Sequence, residues 1–303
     1  MVSFAEAIPA TGTAIIIATR GRPDIVNALV TRLAGQSKSA DHIFVVASSA
    51  DDVSGLNRKQ NGLTVHIGRV GLTLQRNDGL ALAGSRFSYI VFFDDDFVPS
   101  RFWLERMERL FDSELYVAGL TGKLLADGTT TAGIRFSEGA AIVGEHDAMS
   151  FLPLPMQRAC NHGHNIGSNM AFRFSAIRDI KFDERLPLYA WLEDADFCGR
   201  VARDNLFVHT DLVWGVHLGH KAGRSRGIPL GYSQIANALY MVRKGTVPAG
   251  YLVKLVIMNI LNNTVRSILP EPYVDRRGRL RGNLIALSDL LRGRIAPERV
   301  LEL

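Results

Sequence analysis

Residues 89–99 read YIVFFDDDFVP: mostly apolar residues run straight into Asp94, Asp95 and Asp96, and the chain turns at Pro99. A short apolar run bounded by a turn reads as a buried strand. Three adjacent like charges at its end repel one another, so the arrangement costs stability unless a cation or the solvent relieves it. An Asp-x-Asp at a parallel strand end suits a hard divalent cation held between carboxylate and phosphate oxygens. The first carboxylate can bond a ribose hydroxyl or a metal-bound water, and the last can ligate the ion directly. Aspartates also occupy strand ends simply as turn formers, so the surroundings of the run must decide.

Outward from this stretch, strand and helix alternate. TAIIIATRGRP gives a buried strand over residues 13–18 and a polar turn, and PDIVNALVTRLAGQS a helix with Pro23 in its first turn. HIFVVASS reads as a second strand, VGLTLQRNDGLALAGS as a helix, and YIVFFDDD as the third strand. SRFWLERMERLFDS reads as a helix capped by Ser100, and LYVAGLTG as another strand. This alternation predicts an α/β fold, a Rossmann-like, mostly parallel sheet flanked by helices. Ligands of such sheets bind beyond the carboxyl ends of the strands, where ATRGRP and DDD both lie.

Residues 122–190 read as irregular strands and loops, with GHNIGSNMAFRFSAI as a strand-like insert. YAWLEDADFCGRVARDN has helical spacing. A Gly-rich loop, GVHLGHKAGRSRGIP, leads to a helix near 235–242, and AGYLVKLVIMNILNNTVRSIL reads as an amphipathic or buried helix. A last short helix follows PEPYVDRRGRLRG. The expected organisation is a domain over 1–245, with a nucleotide-binding half at about 11–121 and an acceptor half at about 122–245. A helical extension over 246–303 completes it.

The 303 residues suffice for a sizeable core, and 47% hydrophobic with 21% charged residues is ordinary globular composition. Cys160 and Cys198 cannot make a disulfide framework and fit a reducing compartment. No signal peptide or membrane-spanning run is evident. Of the net charge of +5, the stretch 212–270 carries +7 and contains no acidic residue, leaving the remainder at −2. Such a basic segment expects a phosphate, a nucleic acid or an acidic lipid surface, or else is a solvated face. No nucleic-acid reader motif accompanies it, and the first turn lacks the G-x-G-x-x-G of a dinucleotide oxidoreductase.

Three features support the metal reading of the acidic run: the polar turn TRGRP, Arg76 and Asn77 in QRNDG, and Glu193 and Asp194 in WLEDADF. A carboxylate in the last could be a general base. Its plain structural alternative is a helix start that favours acids, with Asp196 and Arg200 as an i,i+4 pair.

Taken together, IIIATRGRP, QRNDGLALAG, YIVFFDDDFVP, GSNMAFR and LEDADFCGR resemble, in order and spacing, the family-two inverting glycosyltransferases of the GT-A fold, over residues 13–220. The resemblance implies a metal-dependent transfer of a sugar from a nucleotide-sugar donor, UDP-linked by default, to a hydroxyl of a glycan or lipid-linked acceptor. It implies a bacterial cell-surface polysaccharide setting. Thr19, Arg20, Arg22, Ser48, Arg76, Asn77, Asp94 and Asp95 would then bind the donor nucleotide, and Asp96, Asp94 and His217 (His220 as second choice) would hold Mn²⁺ or Mg²⁺. Lys221, Arg224 and Arg226 would close on the pyrophosphate. Asp194 would be the base, with Glu193 beside it, and Asn169 and Trp191 would meet the acceptor. One departure is that relatives often carry an acid after the second strand where this chain has VVASSADD, so Ser48, or Asp51 and Asp52, stand in that place. The alternatives are a non-catalytic nucleotide- or carbohydrate-binding subunit and a sugar nucleotidyltransferase, whose Gly-rich signature is missing. The expected location is cytoplasmic, with residues 251–265 and RRGRLRG either lying on an anionic membrane leaflet or packing on the domain.

Overall fold

The computed structural model describes residues 11–149, 167–221 and 227–303. Cys160, Arg224 and Arg226 lie outside the described residues. The elements in chain order are β1 (Thr13–Thr19), α1 (Pro23–Leu33), β2 (His42–Ala47), β3 (Leu63–Ile67), α2 (Leu72–Ala83), β4 (Tyr89–Asp94), β5 (Phe97–Pro99) and α3 (Trp103–Ser113). There follow β6 (Val117–Asp127), α4 (Phe136–Met149), β7 (Asn169–Arg173), α5 (Phe174–Ile177), α6 (Glu193–Val201), β8 (Leu206–His217), α7 (Gly227–Lys244), α8 (Ala249–Arg266) and α9 (Arg276–Leu291).

The described strands form one sheet in the order β3-β2-β1-β4-β7-β6-β8-β5. β1 to β4 are parallel to one another, as their continuous apolar runs predict. Ile15 and Ile17 face a core shared with α1 and α3, while Ala14 and Ile16 face the core beneath α2 and α6. Strand order thus reverses at β1, and the crevice between the ends of β1 and β4 is where a ligand is expected.

The second half of the sheet is more mixed than the reading of a mostly parallel sheet implies. β7 runs antiparallel to both β4 and β6, and β5 antiparallel to β8. The region 122–190, read as irregular, contains the long end of β6 and all of α4. The edge strand β3 went unread because its LTVHI is only partly buried and lacks a clean apolar run. Ser100 is not the cap residue of α3: the helix starts at Trp103, and the Ser100 hydroxyl instead accepts from the Phe102 amide and donates to Asp147.

The last helix is long rather than short, and RRGRLRG forms its first two turns. Helices α7, α8 and α9 pack together, and α7 and α9 meet backbone to backbone. A Cβ on Gly231 would fall 2.0 Å from the Arg279 carbonyl oxygen, and one on Gly282 would fall 2.2 Å from that of Ile228.

Candidate active site

The acidic run is tolerated because each of its carboxylates has a cationic contact. Asp94, paired with Ala18 across the sheet, receives Arg76 at 2.8 Å. Asp95 is fully buried, accepts from the Thr19 hydroxyl at 2.7 Å and pairs with Arg22 at 2.6 Å. Burial and its acidic neighbours still push the Asp95 carboxyl up to about 7, against the pull of Arg22. Asp96 pairs with Arg22 at 3.0 Å and accepts from the His220 amide at 2.8 Å. Burial works to raise its pKa, but His217, Arg22 and that amide overcome it and hold the carboxyl well below the usual range.

His217 reaches this cluster through strand register. It ends β8 opposite Asp127 at the end of β6. Its Nδ1 lies 3.2 Å from Asp127 and its Nε2 3.3 Å from Asp96. Burial works to lower His217, yet the two carboxylates push it up to about 10. One ligand atom from each of Asp94, Asp96 and His217 lies within 4.8 Å of the others. Two carboxylate oxygens and an imidazole nitrogen, the latter oriented from behind by Asp127, form a donor set suited to Mn²⁺ or Mg²⁺. The residues present fit such an ion. His220 contributes to this arrangement through its backbone.

Arg76 joins the two halves of the site. It is 2% exposed and bonds Glu193 at 2.6 Å and the Gly167 carbonyl at 3.1 Å, besides Asp94. Glu193 begins α6, where burial and the neighbouring Asp194 push it up to about 8 despite Arg76. Asp194 is also raised, chiefly by burial. It accepts from the Ala195 amide at 2.8 Å and, among the described residues, has no ion-pair partner. A Cβ on Gly167 would stand 2.6 Å from the Asp194 carboxylate, so only glycine leaves that oxygen room. Asp196, next on α6, pairs with Arg200 and with Lys244, each at 2.8 Å, so the structural alternative read for this motif describes Asp196 well.

The loop entering α6 holds three non-glycine residues in the left-handed region: Leu188 (φ 60°), Ala190 (φ 51°) and Leu192 (φ 72°). Such conformations cost of order 1–3 kcal/mol each and persist only where the surroundings fix them. Here the Leu72 amide donates to the Leu188 carbonyl at 3.0 Å, the Thr73 hydroxyl to that of Leu186 at 3.1 Å, and the Asn237 amide to that of Trp191 at 2.9 Å.

Two cavities meet at Asp94, Leu72 and Tyr189. The larger, 500 Å³, is lined by Thr19, Arg20, Arg22, Gln75 and Asp95, among others. The smaller, 290 Å³, is lined by Trp191, Glu193, Asp194, Ser168, Asp127 and His217, among others.

Several residues expected at the site lie behind these walls. Asn77 is buried against the Phe182 backbone, and Asn169 accepts from the Gly122 amide within the sheet. The Ser48 hydroxyl donates to Asp52, whose other oxygen accepts from the Gly21 amide, so this group shapes the turn beside the larger cavity. The Lys221 ammonium donates to the carbonyls of Gly128 and Thr129, on the turn after β6. Asp127 and Tyr189 were not anticipated. Asp127 reaches His217 only through β6–β8 pairing, and no local spacing announces that.

The family model for glycosyl transferase family 2 matches residues 14–181, just over half of the chain. No curated protein matches the chain in sequence. Among solved structures, S. aureus TarS 1–349 in complex with UDP-GlcNAc is similar at a TM-score of 0.56 and 14% identity, over 96% of this chain and 83% of that one. Mannosyltransferase PcManGT from Pyrobaculum calidifontis, in complex with GDP-Man and Mn²⁺, gives 0.55 and 15%, over 98% and 87%. These likenesses concern the fold, GT-A with C-terminal helices.

Proposed function

The chain belongs to glycosyl transferase family 2, and from that premise we propose an inverting transfer of a sugar from a nucleotide-sugar donor to a hydroxyl of a glycan or lipid-linked acceptor, in cell-surface polysaccharide synthesis. The observation that carries the reading is the placement of Asp194. It lines the smaller cavity where that meets the larger one, and among the described residues it is the one carboxylate of the six at the site without a cationic partner.

In this reading the larger cavity takes the donor nucleotide, with Thr19, Arg20, Arg22 and Asp95 along its wall, and the smaller takes the acceptor against Trp191. Asp194 accepts the proton of the acceptor hydroxyl as that oxygen bonds to the anomeric carbon. The bond from that carbon to the phosphate oxygen breaks, and the nucleoside diphosphate leaves with the electron pair. One displacement inverts the carbon. Asp94, Asp96 and His217 would hold Mn²⁺ or Mg²⁺, which when bound supplies positive charge to the diphosphate oxygens. Arg22 braces Asp95 and Asp96, while Arg76 fixes Asp94 relative to Glu193, so donor and acceptor walls keep one spacing. Lys221 begins the stretch proposed to approach the pyrophosphate. We assign residues 1–245 to transfer and 246–303 to the extension, with α7 packing towards both.

Calorimetric titration with UDP, GDP and dTDP, each with and without Mn²⁺, tests this reading. Metal-dependent binding of one nucleotide, lost in Asp96→Ala, is the expected result. Binding of none of them in the presence of metal would sink it.

A further inference from the structure

Helix α8 departs in two ways from a helix on a water-facing surface. Its inner side buries polar groups alongside the apolar Leu252, Val256 and Ile260. The Asn263 side-chain amide is wholly enclosed and donates to Gln234 and Asn283, each at 2.9 Å, and the Gln234 amide donates to Asn259 at 3.1 Å. Its outer side is apolar. Val253, Ile257, Leu261 and Val265 recur every fourth residue, joined by Met258, and stand 48–66% exposed, and Ile268 and Leu269 extend the stripe past the helix end. Buried polar and exposed apolar side chains are the two departures from the ordinary pattern that ask for an explanation, and here they share one helix.

We propose that this face of α8 docks on an anionic phospholipid bilayer, with the helix lying in the plane of the interface. Charge selects the partner. The helix carries Lys254 and Arg266 and no acid; Glu271 just beyond it pairs with both Arg266 and Arg276, and Lys254 and Arg277 leave this end of the molecule with a net positive charge. The Arg277 guanidinium adds to its C-terminal end by donating to the Ser267 carbonyl. Two copies of the chain meeting through this face would set like charges together, whereas an anionic leaflet answers them. Among the described residues no helix is long and apolar enough to cross a membrane, so the contact is a surface one. Tyr251 and Leu252, in the first turn of α8, pack with Trp191 and Leu192 of the smaller cavity, which places that cavity beside the bilayer.

The inference stands apart from the transferase reading, because it is tested without donor or acceptor. The full chain is floated with vesicles of phosphatidylcholine alone or mixed with phosphatidylglycerol. Binding to the mixed vesicles, weakened by salt, is expected. Ile257→Ser/Leu261→Ser/Val265→Ser, with an unchanged thermal midpoint, is expected to bind about tenfold more weakly or worse. Single substitutions at one exposed position guard against misfolding: Leu261→Glu is expected to weaken binding and Leu261→Trp to retain it. The proposal is overturned if the parent chain ignores anionic vesicles or if the triple variant and Leu261→Glu bind as tightly as the parent. It is overturned equally if the triple substitution abolishes a dimer in sedimentation while the parent does not float, which would assign the face to a second copy.

Discussion

At the end of β4 three carboxylates are held by Arg22, Arg76 and His217, and each has at least one cationic contact within 3.3 Å. At the start of α6 two carboxylates have only Arg76 between them, and it bonds Glu193 rather than Asp194. The first cluster sets every carboxylate against a cationic side chain, as the proposed site for a cation and a diphosphate would require. The second leaves one carboxylate uncommitted and raised by burial, as a group that must accept a proton requires. The difference teaches that the same residue type is turned to binding or to proton transfer by how many of its lone pairs are already taken.

The largest effect should come from the uncommitted member. Asp194→Asn is expected to lower turnover by about 10²–10⁴-fold while donor binding, read by calorimetry, is kept. Full turnover in that variant would break the contrast between the clusters. Next is the residue the clusters share. Arg76→Met leaves the buried Glu193 and the half-buried Asp94 without their partner, and should cost about 3–5 kcal/mol in denaturant unfolding. A loss under about 1 kcal/mol would mean that the carboxylates simply take up protons.

The smallest effect is a pH slope. Glu193 is raised to about 8 in the folded chain from an ordinary 4.5. Between those values the folded state holds a proton that the unfolded state has released. Its stabilising contribution is therefore full below the unfolded value and is lost as pH rises through about 8. Glu193→Gln should flatten this part of the stability–pH curve relative to the parent, and parallel curves would show that Glu193 is ionised throughout.

The parallel half of the sheet could be read from the sequence because buried parallel strands write continuous apolar runs, as in AIIIA and YIVFF, and end at charged turns. The same pattern brings Thr19, Arg20, Arg22, Asp94 and Asp95 to one place, since all border the larger cavity. What could not be read depends on pairing between distant segments. Asp127 meets His217 by register across β6 and β8, and α4, with its SEGAAIVGEHDAM, presents no strong apolar stripe. Asn77 and Asn169 both bond buried backbone, through the Phe182 carbonyl and the Gly122 amide, a placement that residue type alone does not carry.

The left-handed loop before α6 has a consequence for how acceptor choice could change. Its anchors from Leu72, Thr73 and Asn237 all grasp carbonyl oxygens of the loop, which every residue possesses. The side chains at 188, 189, 191 and 192 can therefore be exchanged without releasing those anchors, provided that β-branched residues are kept from the positive-φ positions. The loop is in effect a replaceable cassette mounted on a fixed frame. On the proposed reading, libraries confined to 191 and 192, which line the smaller cavity and not the larger, would retune the acceptor while leaving the donor wall and the proposed metal ligands untouched.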